Sequence, residues 1–101
     1  MAAGIKVMEP QWPAPAHVRA LTTERSGGYS VGTFGGMNLA SHVGDDPQAV
    51  AANRALLCAA LSLPAAPHWL AQVHGPLVVQ AGESGERPAA DGIFTTTTGV
   101  V

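Results

Sequence analysis

The sequence predicts a mixed α/β fold, with a helix packed on sheet, from three observations. One helical repeat has clear start and stop signals, several short β-branched runs lie between Gly and Pro, and the length suits one small domain. The chain has 101 residues, 47% hydrophobic and 12% charged, within the range of a single globular core.

Residues 1–16 read as an irregular lead-in, because Pro10, Pro13 and Pro15 remove backbone donors and restrict the residue before each. His17 to Thr23 reads as a strand. Gly27 to Gly36 includes Gly27, Gly28, Gly32, Gly35 and Gly36 and reads as an extended loop able to approach a ligand closely. Asp46-Pro47 opens a helix, since Asp accepts hydrogen bonds from free backbone donors and Pro suits the first helical position. Val50, Leu57 and Leu61 recur at helical spacing among Ala51, Ala55 and Ala59, and Pro64 stops a helix that should run to about Leu61. His68 to Val73 and Pro76 to Ala81 have strand character, with a Gly75-Pro76 turn between them. Glu83 to Pro88 is a polar loop, and Gly92 to Thr97 is a further strand. The apolar pattern resumes at Val100 and Val101, where a complete domain usually ends in polar sequence. The expectation is therefore a lead-in followed by residues 17–101 as the N-terminal part of a longer domain.

Composition excludes several classes of function. Five Lys plus Arg against seven Asp plus Glu, net charge −2, leave no basic stripe for nucleic-acid phosphates. No segment approaches the ~20 apolar residues that cross a bilayer, and Met1 to Gln11 lacks the basic start and apolar core of a secretory signal. A single cysteine, Cys58, forms no intrachain disulfide, so a cytoplasmic protein is expected. The composition leaves the oligomeric state open.

Candidate chemistry centres on Gln72-Val73-His74-Gly75, half of a metal site where a catalytic site normally needs about three protein ligands. His17, His42, His68 and His74 form no His-x-x-x-His motif. His74 carries most weight, since site residues concentrate where elements end. His42 lies in His42-Val43-Gly44-Asp45-Asp46, beside carboxylates that could orient an imidazole or cap the helix. Asp46 is explained by capping; Asp45 is open to a solvated-turn or an orienting role. The glycine-rich loop matches neither a P-loop nor a dinucleotide fingerprint. Cys58 reads as a small buried hydrophobe, and Asn53-Arg54 as a solvated helix face or a helix-to-loop hydrogen bond.

An ordered motif set runs through Thr22-Thr23, Gly27-Gly28-Tyr29-Ser30, Met37-Asn38-Leu39, His42 to Pro47, Asn53-Arg54, Trp69-Leu70, Gln72 to Gly75 and Ala90-Asp91-Gly92. From about Val18 to Val101 it resembles the YfiH-type laccase-domain family, also described as purine nucleoside phosphorylase/adenosine deaminase-like or polyphenol oxidoreductase proteins. Thr22-Thr23-Glu24-Arg25-Ser26-Gly27-Gly28 is one residue longer than the family's usual Thr-Thr-Arg-x-Gly-Gly. The resemblance implies a YfiH-like α/β fold in a protein roughly twice this length. It also implies a metal, zinc or alternatively copper, held by His74, by a Cys of a Thr-Ala-Asp-Cys motif and by a later His. Cys58 precedes His74 and lacks that motif, so His74 is the one ligand present.

The activity so implied is metal-dependent phosphorolysis of adenosine, inosine or methylthioadenosine, and deamination of adenosine, with purine nucleoside and phosphate as partners. His74 would be metal ligand and catalytic residue, with Ser30, Asn38, His42, Gln72 and Asp91 lining the substrate pocket. Asp91 is also a candidate acceptor for the second ring nitrogen of His74. The same family includes descriptions as peptidoglycan-precursor amidases and copper phenol oxidases. A non-catalytic fragment that needs a partner is the remaining alternative, and residues 1–101 alone are expected to be inactive.

Overall fold

The computed structural model describes residues 4–82 and 87–101, so residues 83–86 of the expected polar loop and the first three residues of the lead-in lie outside the described residues. The chain divides into two compact units, Met1–Leu61 and Ser62–Val101. Helix and sheet are both present, as a mixed α/β fold requires.

In the first unit the lead-in is not wholly irregular. Val7–Met8 forms strand β1 and pairs antiparallel with Thr22–Thr23, strand β2, in the register Val7↔Thr23 and Met8↔Thr22. The Glu24 N–H donates to the Lys6 carbonyl and extends the ladder. The prolines all follow Met8, so they leave β1's donors intact. The strand expected over His17 to Thr23 shrinks to β2 because Ala16 and His17 lie in a turn and only Thr22 and Thr23 face a partner strand.

Helix α1, Pro47–Ala60, starts as expected: the Asp46 carboxylate accepts the Gln48 N–H at 3.0 Å and Pro47 takes the first position. It ends one residue early. Leu61 donates to the Leu57 carbonyl, Ser62 turns to φ 51°, and Pro64 follows. Val50 and Leu57 are buried at 3% and 6% exposure, whereas Leu61 is half-buried. Between them on the same face sits Asn53, with no exposed surface. Cys58 is half-buried.

The second unit is built on a parallel pair, β3 (Val78–Gln80) and β4 (Gly92–Phe94), with Val78↔Gly92, Val79↔Ile93 and Gln80↔Phe94 aligned. The expected strand over His68 to Val73 reduces to one parallel bridge, Ala71↔Ala89. β4 ends at Phe94 because β3 offers no further rung after the Ala81 N–H meets the Phe94 carbonyl. Beyond it, Thr95 Oγ1 accepts the Thr97 N–H, a local bond that competes with a ladder. Segment 88–94 thus runs beside two stretches of chain. Ala71 donates to the Pro88 carbonyl and accepts from Ala90, while the Leu77 carbonyl accepts from Asp91 and Gly92. The bend at residues 72–76 joins those stretches, which places Asp91 against it.

Candidate functional site

His74 occupies that bend with φ 58°, a left-handed conformation that non-glycine residues adopt at a cost. The Asp91 carboxylate holds it there. Its Oδ1 accepts the Val73 N–H at 3.1 Å and the His74 N–H at 2.5 Å, and its Oδ2 accepts the Gly75 N–H at 2.7 Å. Three successive main-chain donors form a small anion-binding concavity, filled by the chain's own carboxylate. Desolvation pushes the Asp91 carboxyl upward, but the Gly75, His74 and Val73 N–H groups and the nearby His74 ring together hold it below the usual carboxylate range. The expected acceptor for the His74 ring is therefore engaged with the His74 backbone. Gln72 and His74 are both exposed on the bend.

In the first unit a second polar cluster is centred on Asn53. The Asn53 side-chain oxygen accepts the Tyr29 N–H at 2.7 Å. Its amide nitrogen lies 2.9 Å from Ser30 Oγ, 2.8 Å from the Asn38 carbonyl and 3.2 Å from the Gly36 carbonyl. The Ser30 hydroxyl, on a residue 6% exposed, donates to Asp45 Oδ2 at 2.5 Å, and the Asn38 amide donates to the same oxygen at 3.1 Å. Gly28 lies at φ 81°, and a Cβ there would fall 2.5 Å from the Gly36 carbonyl oxygen and 2.8 Å from Asn53 Oδ1. The glycine-rich loop is thus folded over a helix side chain and contains a short 3-10 turn at Gly32–Phe34. Arg25 braces it from outside, donating to the Gly35 carbonyl at 2.9 Å and the Thr33 carbonyl at 3.1 Å.

Ser30 and Asn38 are therefore brought together, through Asn53 and Asp45. His42 is exposed in the bend that precedes Asp45. Both carboxylates beside His42 have partners: the half-buried Asp45 is tied to Ser30, Asn38 and the Asp46 N–H, and the exposed Asp46 caps α1. Of the two readings of Asn53-Arg54, the helix-to-loop hydrogen bond holds, with the Arg54 guanidinium donating twice to the Leu39 carbonyl at 3.0 and 2.8 Å, but the sequence reading did not place Asn53 at the centre of a buried cluster. The signal was spacing. Asn53 lies three residues after Val50 and four before Leu57, on the buried stripe.

Among the described residues, no group of three or more His, Cys, Asp or Glu side chains is placed to hold a metal ion. His74 is one donor, and the described residues alone do not fit a bound zinc or copper. Also among them, no helix is long and apolar enough to cross a membrane.

The chain that carries this helix-pinned glycine loop and this carboxylate-held histidine bend is a laccase-domain type of protein. The sequence model of the family described as multi-copper polyphenol oxidoreductase laccase matches residues 19–101, and the chain belongs to that family. It is 52% identical over 77 residues to a purine nucleoside phosphorylase of Pseudomonas aeruginosa, covering 76% of this chain and 31% of that protein. It is 42% identical over 97 residues to the purine nucleoside phosphorylase YfiH of Escherichia coli, covering 95% of this chain and 40% of that one. Among solved structures, a Neisseria meningitidis protein assigned to DUF152 superposes with a TM-score of 0.83 at 41% identity, over 93% of this chain and 38% of its own. The fold is the YfiH/DUF152 fold, of which this chain spans about two-fifths or less of the relatives' length.

Proposed function

We propose that this chain is the N-terminal part of a zinc-dependent purine nucleoside phosphorylase of the cytoplasm, which cleaves adenosine, inosine or methylthioadenosine and also deaminates adenosine. The observation that carries the reading is the exposed His74, held in a left-handed bend by Asp91, in a chain whose relatives are named purine nucleoside phosphorylases. His74 would supply one metal donor, and the others would come from sequence outside residues 1–101, since copper or zinc needs more ligands than one His.

In phosphorolysis a phosphate oxygen bonds to C1′ of the ribose as the C1′–N bond to the purine breaks. The bonding pair leaves with the purine nitrogen, which takes up a proton. Catalysis of this step rests on positioning the two reactants and on donors aimed at the charge that develops. Gln72 offers both an amide donor and an acceptor beside His74, and His42 is an exposed imidazole on the first unit. Ser30 and Asn38 contribute by tying the glycine-rich loop and the segment after it to the helix start, since the Ser30 hydroxyl is bonded to Asp45 and Asn53 and the Asn38 amide to Asp45 and Ala40.

The test is an assay of the protein expressed from its complete reading frame, with adenosine and inorganic phosphate. Free adenine and ribose 1-phosphate, formed only when phosphate is present, support the reading, and inosine formation supports the deaminase activity. Cleavage of a peptidoglycan precursor, or oxygen consumption with a phenol, in the absence of nucleoside cleavage would replace it with the amidase or oxidase alternative.

A further inference from the structure

We infer that Asp91 is the positioning residue of the His74 bend, aiming the imidazole through the main chain without itself contacting substrate. The inference rests on the proposed reading of His74 as a metal donor. A carboxylate has about four acceptor positions, and three of those on Asp91 are taken by the consecutive N–H groups of Val73, His74 and Gly75. Such bonds to an ionised acceptor are the stronger kind, and here they offset the cost of the φ 58° backbone at His74.

Asp91 is itself fixed. Its own N–H donates to the Leu77 carbonyl at 3.0 Å, and the preceding Ala90, with no exposed surface, donates to the Ala71 carbonyl at 3.2 Å. Ala71 and Leu77 are the two shoulders of the bend. The segment that carries the anchor is thus bonded on both sides of the loop that the anchor closes, so the Cα–Cβ direction of His74 is set by a closed ring of main-chain contacts.

An amide cannot reproduce this arrangement. In Asp91→Asn one oxygen can still accept from Val73 and His74, but the NH₂ group then faces the Gly75 N–H, donor against donor. NMR of the isotopically labelled protein from the complete reading frame reads the outcome. In Asp91→Asn the Gly75 amide should exchange faster by about tenfold, roughly the worth of one hydrogen bond, and the His74 side-chain couplings should change their rotamer populations. The Ala81 amide, bonded to the Phe94 carbonyl, should keep its protection. Asp91→Glu, which retains the charge but displaces it, should shift the same signals by less and serves if the Asn variant does not fold. In phosphorolysis assays kcat should fall while KM holds.

Unchanged Gly75 exchange and His74 couplings would overturn the inference. Equal acceleration across the whole unit would also overturn it, in favour of a purely structural role. A wild-type protein that cleaves no nucleoside would defeat the functional reading alone, because the NMR signals report the Asp91 to His74 coupling without any reaction.

Discussion

Asn53 donates to the Ser30 hydroxyl at 2.9 Å across 23 residues of sequence, and both side chains are buried. This contact joins helix α1 to the glycine-rich loop. It also turns the Ser30 proton toward Asp45, so one helix residue organises four polar groups. Removing it should therefore damage the loop as a unit.

Asn53→Ala should destabilise the protein by about 1–3 kcal/mol, since it removes the partner of the part-buried Tyr29 N–H and a partner of the buried Ser30 hydroxyl. Leu57→Ala on the same face gives an apolar yardstick of about 2–5 kcal/mol. Chemical denaturation of the two variants checks both values. An Asn53→Ala midpoint equal to wild type would show that the network adds nothing to stability.

Two glycines separate backbone strain from close packing. Gly44 has φ 95° with nothing within 4 Å of a built Cβ, so Gly44→Ala should cost only the left-handed penalty, about 1–2 kcal/mol. Gly28→Ala adds a clash with the Gly36 carbonyl and Asn53 Oδ1 and should cost a further ~1–3 kcal/mol. Thermal melts of the pair decide it, and equal losses would contradict the packed loop.

The Ser30 hydroxyl first, and the Asn38 amide second, hold the Asp45 carboxyl below its ordinary value, with desolvation opposing them and the Asp46 N–H adding to them. A depressed carboxylate contributes stability that is present above the unfolded-state pKa and is lost as pH falls through the lower folded-state value. Acid unfolding should thus be shallower in Asp45→Asn than in wild type over that interval. Parallel acid limbs would show that Asp45 gains nothing from its partners on folding.

Equilibrium dialysis of residues 1–101 alone against Zn²⁺ should show weak or no binding, because a single imidazole does not hold the metal against water. Stoichiometric tight binding abolished by His74→Ala would mean that donors within this chain complete the site.

Helix α1 was legible because its signals are local: Asp46 and Pro47 start it, Pro64 lies beyond its end, and an apolar repeat lies between. The strands were legible as apolar runs but not in length, since a ladder extends only as far as its partner, and β3 is three residues long. The Val7–Met8 strand was hidden for the same reason: it exists through Thr22 and Thr23. His74 stood out from its bend. What Asp91 does with its carboxylate depends on Ala71 and Leu77 flanking one segment, a relationship that lies in the fold and not in local spacing.

The central claim is that His74 is a metal donor required for nucleoside cleavage, and the most direct measurement compares His74→Ala with Cys58→Ser in the protein from the complete reading frame. Zinc content and phosphate-dependent release of adenine from adenosine are read on both variants. Cys58 is half-buried in α1, so its serine variant should keep metal and nearly full turnover, whereas His74→Ala should lose zinc and most of its activity. A zinc-replete, fully active His74→Ala protein would contradict the account.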